Sequence, residues 1–338
     1  MLGNVLVVGT TAGTTQILDT EHLSLVKTIA TAAQAAVAGA TPGTAPASAS
    51  VGGGTGIVTS VGVWGHDHFL VGHADGTAAL YTLMGRERPV TAYAPPASAA
   101  LSADADARVV SLATFGSAAK PVLAVGHACG AVHLYALKDG TWLGAKGLSA
   151  SLVEAGATGL ASLAPLDGFK ALLGVATGGQ ALQVWDIASG KTQVLDLAEE
   201  LAGQGRSSAR ITACTFAAAH GILMTGWTDG AVALRSVSRD DAGALCLPLL
   251  RVAAPTAGAG ATPSVSCLSY DTRGDVAVVG DAGGWARLLP RATGLAGALA
   301  DPTAAADVAA AAAAAEGAAS PGQGAVLGAV SDAALEGD

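Results

Sequence analysis

His66-Asp67-His68, with His73 just downstream, is the one cluster among the seven histidines of the sequence. Imidazoles two apart on a strand share a face and can chelate a metal ion. Neither a cysteine nor a further carboxylate stands at a matching spacing, so the cluster reads as a polar inter-strand turn and no metal is expected. Val5 to Gly13, VLVVGTTAG, looks like a strand running into a glycine-rich nucleotide loop. It lacks G-x-G-x-x-G, and the residues that follow, Thr14-Thr15-Gln16-Ile17-Leu18, are β-formers where a phosphate-binding helix would begin. Asp104, Asp106 and Arg108 fall in a loop too poor in ligands for calcium. With no G-x-S-x-G motif and no distinct Ser, His and acid grouping, no catalytic residue and no cofactor are assigned, and the chain is not expected to be an enzyme.

The elements that carry these residues repeat. A strand-turn-strand unit recurs at Leu6–Asp19, Leu70–Thr82, Leu123–Ala136, Gly174–Asp186, Leu223–Ser236 and Ala277–Pro290. The units align on small residues at Gly9, Gly72, Gly126, Ala176, Gly226 and Gly280. Asp75-Gly76 and Asp229-Gly230, with Gly13, Gly130 and Gly284 at matching positions, predict two-residue hairpin turns, because glycine accepts positive φ without steric cost. Ile17, Leu80, Leu134, Val184, Leu234 and Leu288 recur near the unit ends and read as core. Alternating apolar runs before and behind the units supply an innermost and an outer strand.

No unit of this kind buries its own apolar face, so the units must stack. The expected fold is all-β: a β-propeller of about six four-stranded blades over residues 1–291, with a flexible loop at 30–56. The first blade lacks its innermost strand and the last its outer one, leaving two strands fewer than six complete blades require. Residues 292–338, rich in Ala and Gly, read as a disordered tail.

Composition narrows the partners. Net charge is -9, and the 17 Lys and Arg are scattered, which argues against nucleic acid and anionic membranes. Cys129, Cys214, Cys246 and Cys267 show no paired spacing, as expected of reduced thiols inside a cell, in the cytoplasm rather than the nucleus. The apolar, charge-free run from Thr28 to Gly65 is filled with Gly, Pro, Ser and Thr and reads as loop, so no transmembrane segment is expected.

Trp185-Asp186, following ATGGQALQV, matches the signature dipeptide of the WD40 family, and Tyr81-Thr82, Tyr135-Ala136 and Leu18-Asp19 look like degenerate versions of it. Over roughly residues 4 to 290 the chain resembles that family, without its usual Gly-His pair. The resemblance implies a ring that ends on a three-stranded blade, and the strand count suggests an N-terminally shortened version of a seven-bladed parent. It also implies a non-catalytic scaffold for a protein or peptide partner within a larger complex. Trp64, His66, His68, Trp227 and Trp285, near strand ends, are the candidate rim patch, since aromatic residues enrich interface hot spots. The alternative is a small-ligand or enzymatic propeller that uses His66, His68 and His73.

Overall fold

The computed structural model describes residues 5–290 except 20, 23, 31–56, 86–87, 97–98, 100, 102–104, 167, 188, 254–262 and 272–275. Residues 31–56 of the expected loop, the tail at 292–338 and Asp104 therefore lie outside the described residues. The rest is a six-bladed β-propeller of small antiparallel sheets.

Blade 1 holds β1 (Val5–Gly9), β2 (Thr14–Asp19) and β3 (Leu25–Ala30). Blade 2 holds β4 (Val58–Trp64), β5 (His68–His73), β6 (Ala78–Thr82) and β7 (Thr91–Tyr93). Blade 3 holds β8 (Val109–Ser117), β9 (Lys120–His127), β10 (Val132–Ala136) and β11 (Trp142–Lys146). Blade 4 holds β12 (Leu160–Leu166), β13 (Ala171–Ala176), β14 (Ala181–Asp186) and β15 (Thr192–Asp196). In blade 5, β16 (Ile211–Ala217), β17 (Ile222–Trp227) and β18 (Val232–Ser236) are completed by β21 (Leu249–Ala253). Before β21, β19 (Ser238–Arg239) and β20 (Leu245–Cys246) pair as a separate ribbon. The apolar run behind the fifth unit, Leu245 to Val252, predicts one outer strand and is instead divided between β20 and β21. Blade 6 holds β22 (Val265–Asp271), β23 (Val276–Asp281) and β24 (Ala286–Pro290).

The sequence reads as loop from Lys146 to Ala157 and from Ala198 to Ser208, and each segment contains a short helix instead, α1 (Ala150–Glu154) and α2 (Ala198–Gly203). In α2, Glu199 and Glu200 complement the helix N-terminus, and fully buried Leu201 anchors it on the core shared by blades 4 and 5.

The hairpin turns also differ from expectation. The amides of Gly13, Gly76, Gly130, Gly230 and Gly284 each bond the carbonyl three residues back, and all five glycines have φ between 77° and 92°. Each loop therefore has three residues with glycine in the left-handed position, a turn followed by a bulge. The same bonds correct one repeat position. Gly179 bonds the carbonyl of Ala176, so Ala176 matches His73 and His127, and Val175 is the partner of Gly72 and Gly126.

The repeat fixes how blades meet. Facing the next blade are the glycines that close the second strands: a Cβ on Gly72 would lie 2.5 Å from Val109 Cγ1, and one on Gly226 2.3 Å from Val265 Cγ1. Facing the preceding blade are the pairs Phe69 with Tyr81, Leu123 with Tyr135 and Leu172 with Trp185, all buried. Trp185 thereby packs between blades 3 and 4, against Val132, Leu134 and Leu160. Its Nε1 donates to the Gly147 carbonyl at 3.3 Å, which Gln183 Nε2 also reaches at 2.8 Å.

Candidate functional site

Each hairpin has two ends, and the candidate residues divide between them. Trp64, His66 and His68 surround the turn from β4 to β5; Trp227 and Trp285 sit at second-to-third-strand turns, at the other end of the strands. The five residues do not form one patch. Trp64 is half-buried with its ring 5.1 Å from that of His68, whose Nδ1 lies 2.5 Å from the Asp67 carboxylate. His66 is exposed.

Trp227 is fully buried, which removes it from the patch. It occupies the repeat position of His73, His127 and Ala176, directly after the small residue, and that position is interior in all four blades. The Arg206 guanidinium lies 5.2 Å from its ring centre and donates to both Asp229 oxygens, at 2.7 and 2.9 Å. Burial raises the Asp229 carboxyl, but the bonds from Arg206 and the Ala231 amide outweigh it and hold the group below its ordinary value. Trp285 remains exposed at 57%.

The three-histidine alternative fails on geometry. His68 and His73 are the two ends of β5, so at about 3.3 Å per residue they stand roughly 17 Å apart. His73 is buried beside the hairpin turn, whereas His66 and His68 are at the opposite rim. Asp75 also lies at the His73 end, where its carboxylate accepts from the amide and hydroxyl of Thr77.

Two features were not singled out from the sequence. Asp19, Glu21 and His22 place one ligand atom each within 4.8 Å of one another. The Asp19 carboxylate accepts from the Glu21 amide and meets His22 Nδ1 at 3.0 Å, bonds that lower its pKa and close the turn by themselves. The second is a cavity of about 730 Å³ across blades 2, 3 and 4, walled by Trp64, Phe115, Pro121, Leu166, Lys170 and Ile187 among others. Its rim is made by first-to-second-strand turns. Lys170, φ 51°, is the one non-glycine in the left-handed region among the described residues, held there as its carbonyl accepts from the Ile187 amide at 3.0 Å. A concave, mainly apolar wall with a single lysine suits an apolar side chain next to a carboxylate or carbonyl. Among its described lining residues none pairs a nucleophile with a base.

Among the described residues, no helix is long and apolar enough to cross a membrane. Comparison with protein-family models and with curated proteins finds no match. Solved structures do resemble the chain. A chain in the crystal structure of the Mitotic Checkpoint Complex aligns with a TM-score of 0.56 at 14% identity, covering 85% of this chain and 73% of that one. The computationally designed Ika8 protein aligns with a TM-score of 0.50 at 19% identity, covering 85% of this chain and 68% of that one. At these identities the likeness is one of fold: the chain is a six-bladed β-propeller.

Proposed function

We propose that this protein is a non-catalytic, WD40-like scaffold that holds a protein or peptide partner inside a larger complex in the cell. The observation that carries the reading is the cavity around Trp64: it spans three blades, so a rigid framework presents it at little ordering cost. Its aromatic and aliphatic wall fits a side-chain anchor, and among its described lining residues no acid-base or nucleophilic set converges. The acidic balance of the chain favours protein over nucleic acid. The aligned checkpoint chain belongs to a multi-protein assembly, which accords with this role.

The test is affinity capture with the intact protein, in parallel with Trp64→Asp and Trp285→Asp. A partner retained by the Trp285 variant and lost with the Trp64 variant supports the reading. Micromolar binding of Zn²⁺ or ATP that disappears on replacing His66 and His68 would overturn it.

A further inference from the structure

Repeat equivalence shows what each position ought to contact. Leu6 stands three residues before Gly9; its counterparts Phe69, Leu123, Leu172, Leu223 and Ala277 are each 0% exposed, whereas Leu6 is 45% exposed. Phe69, Leu123 and Leu172 face the preceding blade, and all five counterparts also belong to second strands that pair with an inner strand: β5 with β4, β9 with β8, β13 with β12, β17 with β16 and β23 with β22. Among the described residues β1 pairs with β2 alone. Successive inner strands lie side by side around the ring, β4 against β8, β8 against β12, β12 against β16 and β16 against β22. On the far side of β4 the series meets β1 and a groove of about 470 Å³. Val5, Leu6, Val7, Val61 and Val63 line it, with His66 and His68 at its turn end. Val63 is 66% exposed there, although its counterparts Thr114, Pro165 and Phe216 are half-buried.

We propose that this groove is a docking slot for an extended, uncharged strand of a partner protein, which pairs with the edge of β1 that has no neighbour among the described residues and takes the place of the inner strand of blade 1. The chemistry of the occupant is specified four times in the chain. β4, β8, β12 and β16 contain no charged residue, and each mixes aliphatic or aromatic side chains with small ones. The slot has the same demand: apart from two histidines its described lining is aliphatic, aromatic or glycine, so a charge inserted there is desolvated without a counter-ion. Backbone pairing on an exposed sheet edge supplies affinity, and the alternate side chains supply register.

The inference rests on the protein-binding reading and is tested separately from it. The probe is a fluorophore-labelled peptide with the sequence of residues 109–116, VVSLATFG, titrated into the intact chain of 338 residues and followed by anisotropy. Saturable binding is expected, weakened by about tenfold or more in Leu6→Lys and in Val63→Lys. Both residues are exposed, so both variants should keep the wild-type unfolding midpoint. Leu288→Lys, on blade 6, should bind as wild type does. A peptide with aspartate at the Val109 and Leu112 places should not bind. No saturation up to about 1 mM, or equal binding by Leu6→Lys, overturns the slot. If the peptide fails while Trp64-dependent capture persists, the slot is wrong and the scaffold reading stands. If both fail, both are wrong.

Discussion

At the scale of residues, the interior is set by a few large side chains, each in a place the repeat prescribes. Trp185 is 1% exposed and fills the space over Gly174, where any Cβ would come within 2.5 Å of its ring. Trp185→Ala is expected to cost about 3 to 5 kcal/mol, read as a lower denaturant midpoint. An unchanged midpoint would contradict its place between blades. The histidines of blade 3 make a second prediction. His127 and His133 are buried with Nε2 and Nδ1 3.0 Å apart. Burial pushes both down, and for His133 the nearby His127 adds to it, leaving it at about 4. Folded pKa values below the unfolded one mean that the unfolded chain binds protons first, so this stability is present above about pH 6.5 and is lost as pH falls toward 4. At 1.36 kcal/mol per pKa unit, His133 alone contributes about 3 kcal/mol of acid sensitivity. His133→Phe should flatten the dependence of the midpoint between pH 7 and 4.5; an identical slope would refute it.

At the scale of elements, identical sequence roles have different surroundings. Ile17, Leu80, Leu134, Val184 and Leu234 are 2 to 7% exposed, the first four in cores shared with the following blade, whereas Leu288 is 63% exposed. Leu80→Ala is expected to cost about 2 to 5 kcal/mol and Leu288→Ala no more than about 0.5, compared by urea unfolding. Equal costs would mean that blade 6 is covered. Much of the element pattern was legible in the sequence: the period-2 runs and turn glycines give the blade strands and their grouping. The β19–β20 ribbon and the two helices were not, because a two-residue strand pair and a single buried leucine leave no periodic signal. The place of Val175 was hidden for a related reason: Ala176 is the smaller residue, and only the turn hydrogen bond shows which of the two closes the strand.

At the scale of the whole propeller, the candidate site was only partly legible. Trp64 was named and does wall the largest of the cavities described, but Phe115, Leu166, Lys170 and Ile187 come from blades 3 and 4 and meet it only in the folded ring. Trp227 was misplaced because an aromatic at a strand end looks the same in sequence whether it faces solvent or the next blade. Exposure of Leu6 and Leu288 was equally hidden, since each carries the residue type of its buried counterparts. Among the described residues, blade 1 presents in β1 a strand edge with no paired neighbour. Amide hydrogen exchange of the free protein, resolved along Val5–Gly9 and the five equivalent second strands, tests it most directly. An open edge predicts β1 amides that exchange much faster than those of β5, β9, β13 and β17; β1 amides as slow as those of β13 would contradict it.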